Sequence, residues 1–107
     1  MDEVQKADKL KWLHMWILQS SDATFRLKSG AVKTVGRAPR ADFILDVALV
    51  SRLHCRLTAG DDAVEVVDLK STTGTFVNDK RIEKASLAAG DRLRIGRVEL
   101  TLDKQKK

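Results

Sequence analysis

Apolar residues in this chain come in short, mostly alternating runs, and glycine, serine, asparagine or aspartate separates one run from the next. Trp12 to Leu18 is rich in aromatic and branched residues, and its length favours a strand over a helix. Phe25-Arg26-Leu27-Lys28 alternates, so Phe25 and Leu27 share a face, and Ser20-Ser21-Asp22 supplies a turn before it. The two segments predict a hairpin. Ser29-Gly30 makes the next turn, and Ala31 to Val35 the next strand, which stops at Gly36. From Arg37 to Asp42 the chain holds its only proline, Pro39, and reads as a loop, because proline cannot donate to a ladder and restricts Ala38 before it. The short run Phe43-Ile44-Leu45 follows, and Asp46 to His54 lacks sustained alternation and reads as a long connection.

Beyond His54 the pattern sharpens. Cys55 to Thr58 and Val64 to Leu69 flank Gly60-Asp61-Asp62, which predicts a second hairpin. Thr75-Phe76-Val77 and Lys80-Arg81-Ile82 flank the tight turn Asn78-Asp79, and Ala85 to Ala89 is ambiguous, with room for a helical turn. Arg92 to Ile95 and Val98 to Leu102 flank Gly96-Arg97 as a third hairpin. Around ten short strands with no sustained helical period predict an all-β sandwich, not a βαβ fold.

A chain of 107 residues fits one domain with one ordinary core. Met1 to Lys11 reads as a flexible lead-in, residues 12–103 as the domain, and Lys104 to Lys107 as a solvated basic tail. The longest apolar run, Met15 to Leu18, is far short of the roughly 20 residues a membrane helix needs. No secretory signal is visible, and Cys55 has no second cysteine to pair with, so the expected setting is intracellular, with cytoplasm and nucleus undecided. A net charge of +5 invites a nucleic-acid reading, but removing Asp103 to Lys107 lowers it to +3, and no other basic run exists. What remains would steer any anionic partner.

The candidate chemistry sits at three predicted loop tips: Val35-Gly36-Arg37, Ser51-Arg52-Leu53-His54 and Ser71-Thr72-Thr73-Gly74-Thr75. If the strands form one sandwich, tips from one end converge, and two guanidiniums, several hydroxyls and backbone N–H groups then share one target. A donor-rich set of this kind suits a doubly charged phosphate.

Those blocks, with Asp68-Leu69-Lys70 before the third, Phe76-Val77-Asn78 after it, and then Gly90-Asp91 and Gly96, follow the order and spacing of the forkhead-associated (FHA) domain. The resemblance runs from about Trp16 to Leu102. It implies a sandwich of about eleven short, mostly antiparallel strands, and a module that binds phosphothreonine peptides through loops at one end. Carried over by residue, Arg37 resembles the arginine that clamps the phosphate and Ser51 the serine that binds the same group. Arg52 falls where the family often has a polar or basic residue on the phosphate or peptide backbone, and Thr72 resembles the threonine that shapes the slot. Gly36, His54, Gly74 and Asn78 are similar to residues that support the binding loops. Thr73 departs, since the family commonly has an asparagine there that bonds the peptide main chain. A threonine hydroxyl cannot match its acceptor and two donors, which implies a weakened reader with Thr73 still meeting the peptide backbone.

The resemblance implies a partner bearing a phosphothreonine made by a Ser/Thr kinase, further domains of a larger protein beside the module, no cofactor and no metal. A catalytic reading of Ser51 with His54 lacks a third member and an oxyanion site. Two other classes stay open: a scaffold or oligomerisation module indifferent to phosphate, and a single-strand nucleic-acid binder. The second is disfavoured because the five aromatics, Trp12, Trp16, Phe25, Phe43 and Phe76, mostly fall at strand positions that look inward.

Overall fold

The computed structural model describes residues 15–105. It contains eleven strands and no helix among the described residues: β1 (Met15–Gln19), β2 (Thr24–Lys28), β3 (Val32–Gly36), β4 (Phe43–Ile44), β5 (Cys55–Ala59), β6 (Val64–Asp68), β7 (Thr75–Val77), β8 (Lys80–Ile82), β9 (Lys84–Leu87), β10 (Arg92–Ile95) and β11 (Val98–Lys104). One sheet runs β2-β1-β11-β10-β7-β8 and the other β4-β3-β5-β6-β9. Every pairing is antiparallel except β3 with β4, so the expected sandwich stands. All three hairpins form, as β1-β2, β5-β6 and β10-β11.

The period-two pattern builds the core. Trp16 and Leu18 of β1, Leu27 of β2, Leu57 of β5, Val64 and Val66 of β6, Leu93 and Ile95 of β10, and Leu100 and Leu102 of β11 all meet between the sheets. Each is essentially inaccessible, and burying one such side chain stabilises by about 1.5 to 3 kcal/mol. The Trp16 indole N–H donates to the Gly60 carbonyl at 2.8 Å, so its polar atom is satisfied as its ring is buried. Phe25 and Phe43, on edge strands of opposite sheets, stack with centroids 4.6 Å apart and close one side.

Two expectations change. Ala85 to Ala89 gives no helical turn. Lys84 to Leu87 is β9, because Ala85 and Leu87 lie opposite Val66 and Val64 of β6, and cross-strand pairing decides where small residues carry weak preferences. Lys104, expected in the tail, is the last residue of β11; it stands opposite Trp16, with its ammonium 5.2 Å from the indole centroid. Trp12, the lead-in and residues 106–107 lie outside the described residues.

The connections β3-β4, β4-β5, β6-β7 and β10-β11 gather at one end of the sandwich. Arg37 N–H reaches the Ser51 carbonyl, Thr72 N–H the Ser51 hydroxyl, and Gly96 packs against the backbone of Leu49.

Candidate functional site

Gly36 is where the site begins. A Cβ built there would lie 2.1 Å from the Arg52 carbonyl oxygen, so only glycine lets the β4-β5 connection close on the end of β3. The closed contact is held by three backbone bonds, Arg37 N–H to Ser51 O and Ala38 N–H to Arg52 O at 3.0 Å, and His54 N–H to Val35 O at 2.8 Å. Arg37 and Ser51, fourteen positions apart in the chain, become neighbours by this route.

The Arg37 side chain is exposed, yet its Nε donates to the Val50 carbonyl at 3.0 Å. That bond fixes the guanidinium and leaves both Nη groups without a protein partner among the described residues. The Ser51 hydroxyl accepts from Thr72 N–H at 2.9 Å, which uses a lone pair and keeps the hydroxyl proton free to donate outward. Arg52 is exposed and its guanidinium makes no ion pair among the described residues.

His54 is fully buried and works from behind. Ser51 N–H can only donate, so Nδ1 accepts it at 3.0 Å; the Gly74 carbonyl can only accept, so Nε2–H donates to it at 2.8 Å. One ring therefore ties the Ser51 loop to the Gly74 loop. The second loop has its own anchor in Asp68, whose carboxylate accepts from Ser71 Oγ at 2.5 Å, Thr75 Oγ1 at 2.6 Å and Ser71 N–H at 3.2 Å. Burial raises the Asp68 pKa, but these hydrogen bonds outweigh it and, with His54 nearby, hold the carboxyl below its ordinary value. Ser71 Oγ also takes Gly74 N–H at 3.0 Å, and Gly74 sits at φ +94°, a conformation that a side chain strains.

The result is an open cleft of about 700 Å³ lined by Arg37, Ser51, Arg52, Thr72 and Thr73, all five expected from the sequence. Two placements add to what was expected or differ from it. The Thr73 hydroxyl donates inward to the Leu49 carbonyl at 2.8 Å, so it fastens the lip of the cleft and its remaining capacity toward a ligand is as an acceptor. Asn78 does tie loops, but not those of the cleft. It lies at the other end of β7, where its side chain holds Arg92 N–H at 2.9 Å and Asp91 at 3.2 Å. Sequence reasoning also missed the rest of the lining, which includes Lys70, Asp46, Val47 and Leu49. Lys70 adds a third cation and has φ +57°, while Leu49 is exposed at φ +75°, where a bulky residue is strained. The lysine beside Ser71-Thr72 was the available signal for the first; nothing local marks Leu49.

His54 has both ring nitrogens engaged with backbone, and no cluster of His, Cys, Asp or Glu able to hold a metal occurs among the described residues. No described helix is long and apolar enough to cross a membrane.

Comparison with known proteins fits this geometry. The family model for the FHA domain matches residues 33–96. The chain is 37% identical over 95 residues to the ABC transporter ATP-binding/permease protein Rv1747 of Mycobacterium tuberculosis, covering 89% of this chain and 11% of the transporter. It is 39% identical over 70 residues to the glycogen accumulation regulator GarA of the same species, covering 65% of this chain and 43% of GarA. The chain thus spans less than half the length of either relative. Among solved structures, one described in an analysis of phosphothreonine-dependent FHA domain interactions superposes with a TM-score of 0.74 at 31% identity, over 87% of this chain and 97% of that one. By its matched core, its eleven-strand sandwich and its likeness to these proteins, the chain belongs to the FHA domain family.

Proposed function

We propose that the cleft binds a phosphothreonine-containing segment of a protein partner, and so joins two proteins when a Ser/Thr kinase has acted. The observation that carries this reading is the unspent donor capacity at one end: two Arg37 Nη groups and the Ser51 hydroxyl proton point out of loops otherwise tied down internally. Arg37 and Ser51 grip the phosphate by charge-assisted hydrogen bonds, Arg52 and Thr72 complete the cradle, and Lys70 adds positive potential. Thr73 holds the lip and offers its oxygen to the peptide main chain. The neighbour studied for phosphothreonine-dependent interactions supports the choice of ligand.

The module acts by binding and not by catalysis, since His54, which lies behind the cleft, is consumed as a strut. Cys55 is buried, and burial, with the Asp68 carboxylate next, pushes its thiol up to about 12, so it stays protonated and unreactive. Removing the phosphate takes away about 1.5 to 2 negative charges, so a phosphothreonine peptide should bind and its unmodified twin should not. Titration calorimetry of the two peptides decides the matter: equal affinities would rule the reading out.

A further inference from the structure

The outer face of the six-stranded sheet carries a second cationic feature. The register sets Arg94 of β10 opposite Phe76 of β7, and Phe76 opposite Arg81 of β8, in a single row. Leu93, Ile95 and Thr75 are buried, so this row looks away from the core. The Arg94 guanidinium lies 4.1 Å from the Phe76 ring centroid. A Cβ placed on Gly74 would meet the Arg81 Nε at 2.8 Å and Phe76 Cε1 at 3.3 Å, so both side chains close on the backbone of Gly74.

Neither guanidinium has a carboxylate partner among the described residues. Glu99 stands opposite Arg94 in the register, but its carboxylate and that of Asp79 reach Arg92, at 3.8 and 3.4 Å. Two like charges thus stand in one row on either side of Phe76, two strands apart, with no anion between them. The Arg94 fork is held over the Phe76 ring, and the Arg81 Nε lies close to Gly74 in the adjoining loop.

We infer that this face is a second contact surface, which takes an acidic stretch of the same partner whose phosphothreonine the cleft holds. It rests on that reading of the cleft for the identity of the partner. Continuity favours it: Gly74 accepts from His54 under the cleft and lies against Arg81 beneath the row, so a chain leaving the cleft over the β6-β7 loop meets the guanidiniums next. Charge complementarity chooses the occupant, because carboxylates fit bidentate forks with no anion of their own.

The test uses the full chain and four probes. A short phosphothreonine peptide is compared with the same peptide carrying a flexible spacer and six glutamates, each against wild type and the Arg81→Gln/Arg94→Gln double variant. In low salt the extension should tighten binding at least fivefold. The double variant should lose that gain while binding the short peptide as wild type does, which also shows that it folds. An extension without effect, or a gain that survives in the double variant, overturns the proposal. The third probe is an acidic peptide with no phosphothreonine, followed by backbone amide shifts. Shifts centred on Phe76, Arg81 and Arg94, and absent at Arg37 and Ser51, sustain the surface even if the cleft proves not to take phosphate; silence at those residues sinks it. Stronger, Arg81- and Arg94-dependent binding of a single-stranded oligonucleotide in place of the acidic peptides also overturns it.

Discussion

The two ends of the sandwich use similar residues to opposite effect. At the end opposite the cleft, Asn78 and Asp91 spend their side chains on one another and on the backbone of Arg92 and Ala88, and Arg92 is closed by Asp79 and Glu99. Nothing is left over. At the cleft end the same economy is applied one layer down, where His54 and Asp68 satisfy backbone and hydroxyl groups, and the layer above keeps Arg37 Nη groups and the Ser51 proton free. A polar loop becomes a binding surface when its internal bonds are made by a second tier of residues, so that donors facing solvent are positioned without being consumed.

Mutations can break this contrast at each tier. His54→Ala should have the largest effect, since it leaves the Ser51 N–H and Gly74 carbonyl unpaired above a cavity; we expect a loss of about 3 kcal/mol in urea unfolding, and phosphopeptide binding lost with it. Arg37→Ala should do the reverse, costing roughly 30- to 900-fold in phosphopeptide affinity by calorimetry, about 2 to 4 kcal/mol, with the unfolding midpoint unchanged. Asn78→Ala should lower stability by about 1 to 2 kcal/mol and leave affinity as it was, because its partners lie at the far end. A measured drop in affinity there would erase the distinction between the two ends.

The smallest effect is a dependence on acid. Asp68 has a folded pKa below its ordinary value, so its contribution to stability is full above the unfolded value of about 3.9 and is lost as pH falls through the folded value. The contribution of Asp68 should therefore be the same in neutral and in mildly acidic solution. Below about pH 4 the wild type should weaken more steeply than Asp68→Asn, which a urea series at falling pH can read.

The strands were legible because their pattern is local: alternation gave Thr24–Lys28, Cys55–Ala59 and Val98–Lys104 with ends misplaced by a residue or two. The five cleft residues were legible because glycines and hydroxyls mark their turns. What escaped was set by partners distant in the chain. β9 is a strand only because β6 lies beside it, and Asn78 serves the far end because β7 is three residues long and places its two ends at opposite loops. The Arg94-Phe76-Arg81 row depends on a register that no single run of residues states. The inward bond of Thr73 escaped because its acceptor, Leu49, is 24 positions away.

Gln105 N–H donates to the Met15 carbonyl at 2.7 Å, so the first and last described residues leave side by side. They do so where β11 finishes, while the Gly96 turn that begins it abuts the lip of the cleft. Both described ends thus lie away from the cleft. Chain that enters at Met15 and chain that leaves at Gln105 therefore share one anchoring side, and the loops that line the cleft carry neither.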